Sequence, residues 1–117
     1  MTREEKIAVV ERSIHGLGQG EFSHVPFADD VRYERPLTPK RTGQEAIAFL
    51  AAFFPIMRGA DVHQHIVEGE DVATVFHLRT PHGVTMVCDK FRVVEGQLQE
   101  INPYDDPRVL HDAVKLL

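Results

Sequence analysis

The sequence predicts an α+β domain in which helices come first and hairpin-connected strands follow. Near the N-terminus, Ile7, Val10 and Ile14 recur at helical spacing. From Asp61 onward the apolar period changes to two, which is typical of half-buried strands. Turn-forming residues separate these strand candidates. Helices followed by an antiparallel meander favour a fold in which the helices pack on one face of the sheet.

The first helix has a clear beginning and end. Thr2 and Glu5 have the spacing of a capping box, in which each side chain accepts a hydrogen bond from the other residue's backbone. Gly16, Gly18 and Gly20 then follow at the end of the apolar pattern. We therefore predict an amphipathic helix that ends within this glycine-rich stretch.

Three further elements are predicted before Asp61. Residues 22–28 are predicted to form a short second helix, and residues 31–35 a short strand that ends at Pro36. Thr42 is the predicted N-cap of another helix. The apolar face of that helix consists of Ile47, Leu50, Phe53 and Phe54.

Four strands complete the predicted sheet. They span residues 62–67, 72–78, 84–94 and 98–104, and the turns between them suit hairpins. Residues 109–117 are predicted to form a short closing helix.

Size and composition limit the classes of function. A chain of 117 residues with 43% hydrophobic content suits one globular domain, residues 1–117. The net charge of -5, with scattered basic residues, disfavours nucleic acid as a partner. Cys88 is the only cysteine, and we find no leader or long apolar run. We expect a cytoplasmic protein that does not interact with membranes.

Asp89 is the first candidate for a functional residue because it interrupts the most apolar stretch of the chain, residues 83–96. In a strand it shares the core-facing side with Val87 and Phe91. An isolated buried charge is too costly to keep. Asp89 is therefore either a pocket acid with a raised pKa, or a structural acid bound by backbone amides, Arg35 or Arg92.

Glu34 and Arg35 form the second candidate group. Neighbours in a strand point to opposite faces, so one of the two should point inward. Arg35 facing inward could bind an oxyanion or a carboxylate, whereas Glu34 facing inward could act as a base. The alternative is an exposed pair at the sheet edge.

Three histidines, His63, His65 and His77, are spaced so that they could meet on one sheet face. We assign all three to the outer face, with Val75 and Cys88, because the opposite face of these strands is apolar. No cysteine or carboxylate completes a metal site there. This mixed apolar and titratable face predicts a homodimer contact and no metal.

Several short motifs occur in a recognisable order. They are Phe27-Ala-Asp-Asp-Val31, Arg41-Thr-Gly43, Asp89-Lys-Phe-Arg-Val93 and Glu95-Gly-Gln-Leu98. From Ala8 to about Pro107 the chain resembles the nuclear transport factor 2-like superfamily, and more narrowly its SnoaL-like polyketide cyclase and ketosteroid isomerase branch. The resemblance implies a cone-shaped curved antiparallel sheet wrapped around N-terminal helices, with an internal pocket and often a homodimer.

The resemblance also implies roles for individual residues. In ketosteroid isomerases, a helix tyrosine and a protonated late-strand aspartic acid form the oxyanion hole, and an aspartate before a proline moves the proton. Asp89 matches the late-strand acid, but the tyrosine position falls at Ser13 and the base position at Arg35. Limonene epoxide hydrolases use an Arg-x-Asp pair and an acid on the last strand. The pair is missing from residues 72–78 of this sequence, and only Asp105 or Asp106 could provide the last-strand acid. Neither mechanism transfers unchanged.

We expect a cofactor-free protein that performs acid/base chemistry on an apolar small molecule carrying a carbonyl, enol or epoxide oxygen. The expected catalytic groups are Asp89, Arg35 and Glu34. The expected pocket wall comprises Ser13, Leu17, Phe27, Tyr33, Phe49, Phe53, Phe76, Leu78, Phe91, Ile101 and either Met86 or Val87. The rival hypothesis is a non-catalytic ligand-binding or dimerising module with the same cavity.

Overall fold

The structure, a computed structural model, describes residues 1–106 and 108. The helices are α1 (Arg3–Gln19) and α2 (Gly43–Ala51), with a short 3₁₀ helix at Phe54–Ile56. The strands are β1 (Phe27–Tyr33), β2 (Arg41–Thr42), β3 (Ala60–Glu68), β4 (Asp71–Thr80), β5 (Gly83–Val94) and β6 (Gln97–Tyr104). The predicted α+β class is confirmed. The helix predicted over residues 109–117 lies outside the described residues.

Both predicted longer helices form, but α2 ends at Ala51, so Phe53 and Phe54, predicted on its apolar face, lie beyond it. At the start of α1, Thr2 and Glu5 make the two reciprocal bonds of the predicted capping box, and Gly20 ends the helix in a left-handed conformation. Thr42 is the N-cap of α2, but its side chain makes no capping hydrogen bond.

The short helix predicted over residues 22–28 is wrong. The Phe22 ring packs edge-on against Phe27 and Phe54, with centroid distances of 5.3 and 4.7 Å. Pro26 has no amide proton for a helical bond, and its carbonyl accepts a hydrogen bond from the amide of Leu98 instead. The segment therefore turns, and β1 begins at Phe27, earlier than the predicted strand.

The six strands form one sheet in the order β2-β1-β6-β5-β4-β3. The four predicted later strands are present as consecutive antiparallel hairpins. However, β1 pairs with β6 in parallel, so the sheet is mixed and not wholly antiparallel as predicted. This parallel pairing places the residue that follows β1, Glu34, beside Ile101 of β6.

The core lies between the helices and the inner face of the sheet. Val10 and Ile14 of α1 and Val72, Phe76 and Phe91 of the sheet are among its most buried members. Within the described part of the chain, no helix is long and apolar enough to cross a membrane.

Candidate active site

A polar row crosses the middle of the inner face of the sheet. The register aligns His65 of β3 with Thr74, Thr74 with Asp89 of β5, and Asp89 with Pro103 of β6. Thr74 is fully buried and Asp89 is 7% exposed. The neighbouring rows on this face are apolar, so the polar side chains of this row have few alternative partners.

A small cavity lies against one end of this row. Its volume is about 40 Å³. The cavity is lined by Leu17, Tyr33, Arg35, Leu50, Phe53, Met57, Phe76, Leu78, Val87, Asp89, Pro103 and Asp105. It is thus an apolar space with a charged group of three residues, Arg35, Asp89 and Asp105, at one side.

Asp89 has the electrostatic character of a neutral pocket acid. Its Oδ1 atom is buried and has no hydrogen-bond partner among residues 1–106 and 108. Desolvation, reinforced by the negative charge of Asp105 and partly offset by Arg35, raises the pKa of Asp89 to about 7. The residue therefore exchanges between acid and carboxylate near neutral pH.

Arg35 is the cation of the site. It lies beyond the end of β1 but keeps the inward phase of Val31 and Tyr33, and its side chain is buried. Its Nη2 donates to Oδ1 of Asp105, whose side chain is also buried. Burial is the main cause that raises the pKa of Tyr33 to about 12, so the Tyr33 hydroxyl keeps its proton.

Comparison with known proteins fits this architecture. Residues 10–101 match the SnoaL-like domain family. The chain belongs to the SnoaL-like family. No match was found among curated protein sequences.

Several solved structures share the fold. A de novo designed protein with a curved β-sheet is 24% identical, with a TM-score of 0.82 over 100% of both chains. A candidate SnoaL-like polyketide cyclase from Jannaschia sp. CCS1 is 18% identical, with a TM-score of 0.78 over 97% of this chain and 94% of that one. TerC, co-crystallised with polyporic acid, is 16% identical, with a TM-score of 0.73 over 95% and 98% of the two chains. At these identities the similarity shows a common fold.

Most of the predicted polar candidates of this SnoaL-like domain lie at the cavity. Asp89 and Arg35 do, and the open choice between Met86 and Val87 is decided for Val87. Glu34 does not: it is exposed and lines a separate cleft of about 350 Å³, to which Arg35 also contributes. Strand alternation sends Glu34 outward as soon as Arg35 points inward.

The structure places half of the predicted wall residues at this cavity. The predicted members that line the cavity are Leu17, Tyr33, Phe53, Phe76 and Leu78. The predicted members that lie elsewhere are Ser13, Phe27, Phe49, Phe91 and Ile101. Ser13 is buried in α1, Phe27 packs on Phe22, and Phe49 packs between Tyr33 and Phe53. Phe91 and Ile101 are paired one row further along the sheet, inside the core.

The outer-face assignment of the three histidines is wrong for His65. A β-bulge at His63 shifts the pairing between Val62 and Gln64, so that the following residues change faces. His65 consequently points inward, where it hydrogen-bonds Thr74. His63 and His77 remain on the outer face as predicted, with 3.0 Å between Nε2 of His63 and Nδ1 of His77.

The sequence analysis missed three lining residues, Leu50, Met57 and Pro103, and named Asp105 only as an alternative to Asp106. Asp105 carried a detectable signal, because it is in phase with Ile101 and Pro103 on the inward side of β6. Leu50 had been placed on the apolar face of its helix but not at the pocket. Met57 follows Pro55 and belongs to no periodic segment, so no pattern indicated it. In the described part of the chain, no three histidine, cysteine or acidic side chains form a group that could hold a metal.

Proposed function

We propose that this SnoaL-like protein is a cofactor-independent isomerase or cyclase that moves a proton on a small molecule carrying a carbonyl or enol oxygen. The observation that carries the proposal is Asp89, a buried acid with a pKa of about 7 that lines an apolar cavity beside a buried arginine. A general acid/base works best when its pKa is near the working pH. Buried acids of this kind are concentrated at functional sites.

The proposed chemistry divides the work among three side chains. The Asp89 carboxylate takes a proton from a carbon next to the carbonyl, so a C–H bond breaks, an O–H bond forms and an enolate results. Asp89 then returns the proton to a different carbon, and the carbonyl re-forms. Arg35 stabilises the negative oxygen of the enolate, and the Tyr33 hydroxyl can donate a second hydrogen bond to it.

A specific observation supports epoxide hydrolysis as the second candidate. Asp105 and Asp89 both lie beside Arg35, which gives two acids and an arginine as the resemblance to limonene epoxide hydrolases requires. Asp105 would take a proton from water as the water oxygen attacks an epoxide carbon. Neutral Asp89 would donate its proton to the oxygen released from the broken C–O bond, and a vicinal diol would result.

The cavity limits how much of a substrate can be buried. A volume of about 40 Å³ holds roughly three water molecules. Pockets for drug-sized ligands measure ~300–1,000 Å³. We therefore propose that only the oxygen-bearing end of the substrate enters the cavity, and that the remainder lies toward the cleft that shares Arg35.

A panel of small hydroxy-ketones, 1,3-diketones and epoxides tests the proposal. Turnover should occur with one chemical class and fall at least ~100-fold in Asp89→Asn, because general acid/base catalysis contributes about 10²–10⁴-fold. Asp29→Asn, at an exposed position of β1, is the matched control and should retain full activity.

The outcome also separates the competing hypotheses. Diol formation with incorporation of solvent oxygen supports the hydrolase, and exchange of carbon-bound hydrogen supports the isomerase. Saturable binding without turnover of any compound supports the non-catalytic module and would contradict both enzyme proposals.

We further propose a homodimer through the outer face of the sheet. Ile66, Val84, Met86 and Tyr104 are large apolar residues that are each more than half exposed on this side. Sedimentation should find a dimer at micromolar concentration, and Met86→Lys should dissociate it. Protonation of both His63 and His77 would place two like charges 3.0 Å apart and should weaken the contact.

A further inference from the structure

The side chain of His65 connects helix α1 to the row of the sheet that contains Asp89. Its Nε2 lies 2.8 Å from Oε1 of Glu11, and its Nδ1 lies 2.8 Å from Oγ1 of Thr74. Thr74 is completely buried and lies directly opposite Asp89 in the β4–β5 register. We call Glu11, His65 and Thr74 the His65 chain.

The Glu11 carboxylate at the end of the His65 chain determines the direction of its hydrogen bonds. A carboxylate can only accept, so the imidazole must donate from Nε2 to Glu11. In a neutral imidazole the other nitrogen is then an acceptor. When the imidazole is neutral, the Thr74 hydroxyl therefore donates its single proton to Nδ1 of His65.

This direction determines what Thr74 can offer to Asp89. Side chains directly opposite each other in an antiparallel pair have Cβ atoms about 4.5–5.5 Å apart, so a rotation of either side chain can bring the two groups together, while in the structure Oδ1 of Asp89 has no partner among the described residues. Because its proton is engaged by His65, the Thr74 oxygen can accept a hydrogen bond from a neutral carboxylic acid but cannot donate one to a carboxylate. No other hydrogen bond of the Thr74 hydroxyl occurs within the described residues.

We propose that His65 is a positioning residue that holds the Thr74 proton away from Asp89 and thereby favours the neutral form of the buried acid. The inference rests on the proposed function only in treating Asp89 as the reactive group. It also assigns a role to the bulge at His63, which is what turns His65 toward the interior.

Other charged groups face Asp89 as well. Arg35, which follows β1, favours the carboxylate, whereas Asp105, which follows β6, disfavours it. Tyr33 of β1 also lines the cavity, and α2 contributes only the apolar Leu50. The His65 chain extends from α1 to Thr74, the residue opposite Asp89, and its influence can be separated by substitution.

The test is a carboxyl-carbon NMR titration of Asp89 in five variants: His65→Leu, His65→Gln, Thr74→Val, Thr74→Val with His65→Leu, and Glu11→Gln. In His65→Leu the Thr74 proton is released and can bind the Asp89 carboxylate, so the midpoint should fall by about one pH unit, as expected for one charge-assisted hydrogen bond. His65→Gln keeps an acceptor for Thr74 and a donor for Glu11, and its midpoint should stay at the wild-type value. In Thr74→Val the hydroxyl is absent, so adding His65→Leu should cause no further fall.

Glu11→Gln is the variant that protects the test against misfolding, because Glu11 is partly exposed on α1. The glutamine amide can either accept from Nε2 or donate to it, and only the second arrangement lets His65 donate to Thr74, so the Asp89 midpoint should fall only if the imidazole proton moves to Nδ1. Imidazole nitrogen shifts of the wild-type protein provide a direct check and should show the proton on Nε2.

Two results would overturn the proposal. One is an unchanged Asp89 midpoint in a folded His65→Leu protein, or in a Glu11→Gln protein whose imidazole proton has moved to Nδ1. The other is an equal fall with and without the Thr74 hydroxyl, which would show that His65 acts through general packing. Since no substrate is used, a protein without turnover can still support this inference, and an active enzyme can still contradict it.

Discussion

Asp89→Asn should make the protein more stable than the wild type, by an amount that grows with pH. The wild-type side chain must become charged in an apolar site as the pH rises, whereas the amide of similar shape never ionises. Because the folded pKa is raised, the neutral acid is fully compatible with folding below the unfolded pKa of 3.8, and stability is lost as the pH rises toward about 7.

The size of the effect follows from the displacement of the pKa. One pH unit corresponds to 1.36 kcal/mol, so a change from 3.8 to about 7 corresponds to about 4 kcal/mol at most. Part of this penalty is already present at pH 5. Between pH 5 and pH 8 the stability advantage of Asp89→Asn should therefore grow by about 2–3 kcal/mol.

Urea unfolding at pH 5, 6, 7 and 8 measures this difference, with Asp29→Asn as the exposed control. Several other acids have lowered pKa values, so their contributions are lost only as the pH falls below about 5, and they are the same in Asp89→Asn and in the wild type. They are Glu5, Asp30, Asp71 and Asp106. Parallel stability curves for Asp89→Asn and wild type across the range would refute the assignment of Asp89 as a buried neutral acid.

Three other substitutions have defined expectations. Arg35→Met leaves the buried Asp105 carboxylate without its partner and should lower the free energy of unfolding by about 3–5 kcal/mol in urea. It should also raise the Asp89 midpoint in an NMR titration. Arg12→Met, at an exposed position, is the control and should change neither quantity. Thr2→Ala removes the capping box of α1 and should lower the free energy of unfolding by ~1 kcal/mol, and an unchanged value would show that the N-terminus frays. Leu37 has a φ of 67° and is 96% exposed, so Leu37→Asn should raise stability by roughly 0.5–1 kcal/mol, and a loss in thermal unfolding would contradict the strain argument.

Period-two alternation predicted the inner sides of β4 and β5 correctly and predicted that of β3 only as far as its irregularity. Asp89 lies in phase with Val87 and Phe91, as expected, and all three are buried. The same rule failed at His65 because the bulge at His63 adds one residue to β3, and nothing in the pattern of residues 62–67 marks that insertion. One extra residue reverses the face of every residue after it until the strand ends.

The long-range contacts of the site were less accessible from the sequence. Arg35 and Asp105 are 70 positions apart, and their pairing depends on the parallel alignment of β1 with β6. The sequence pattern of hairpins indicated antiparallel neighbours only, so this alignment could not be foreseen. The cavity volume depends in addition on how Leu50, Phe53 and Met57 pack over the sheet, and periodicity specifies no such distances.

The composition of the charged group explains why the exchangeable proton belongs to Asp89. Arg35 can offset one negative charge in this buried site, and it donates its hydrogen bond to Asp105. A second carboxylate at Asp89 would leave an uncompensated charge and an unpartnered oxygen inside an apolar wall. With Asp89 neutral, the three groups sum to zero charge. In the proposed step the Asp89 carboxylate takes the proton and an anionic enolate forms near Arg35, so the total charge of site and substrate does not change. The proton transfer only moves a negative charge that the free site already tolerates near neutral pH.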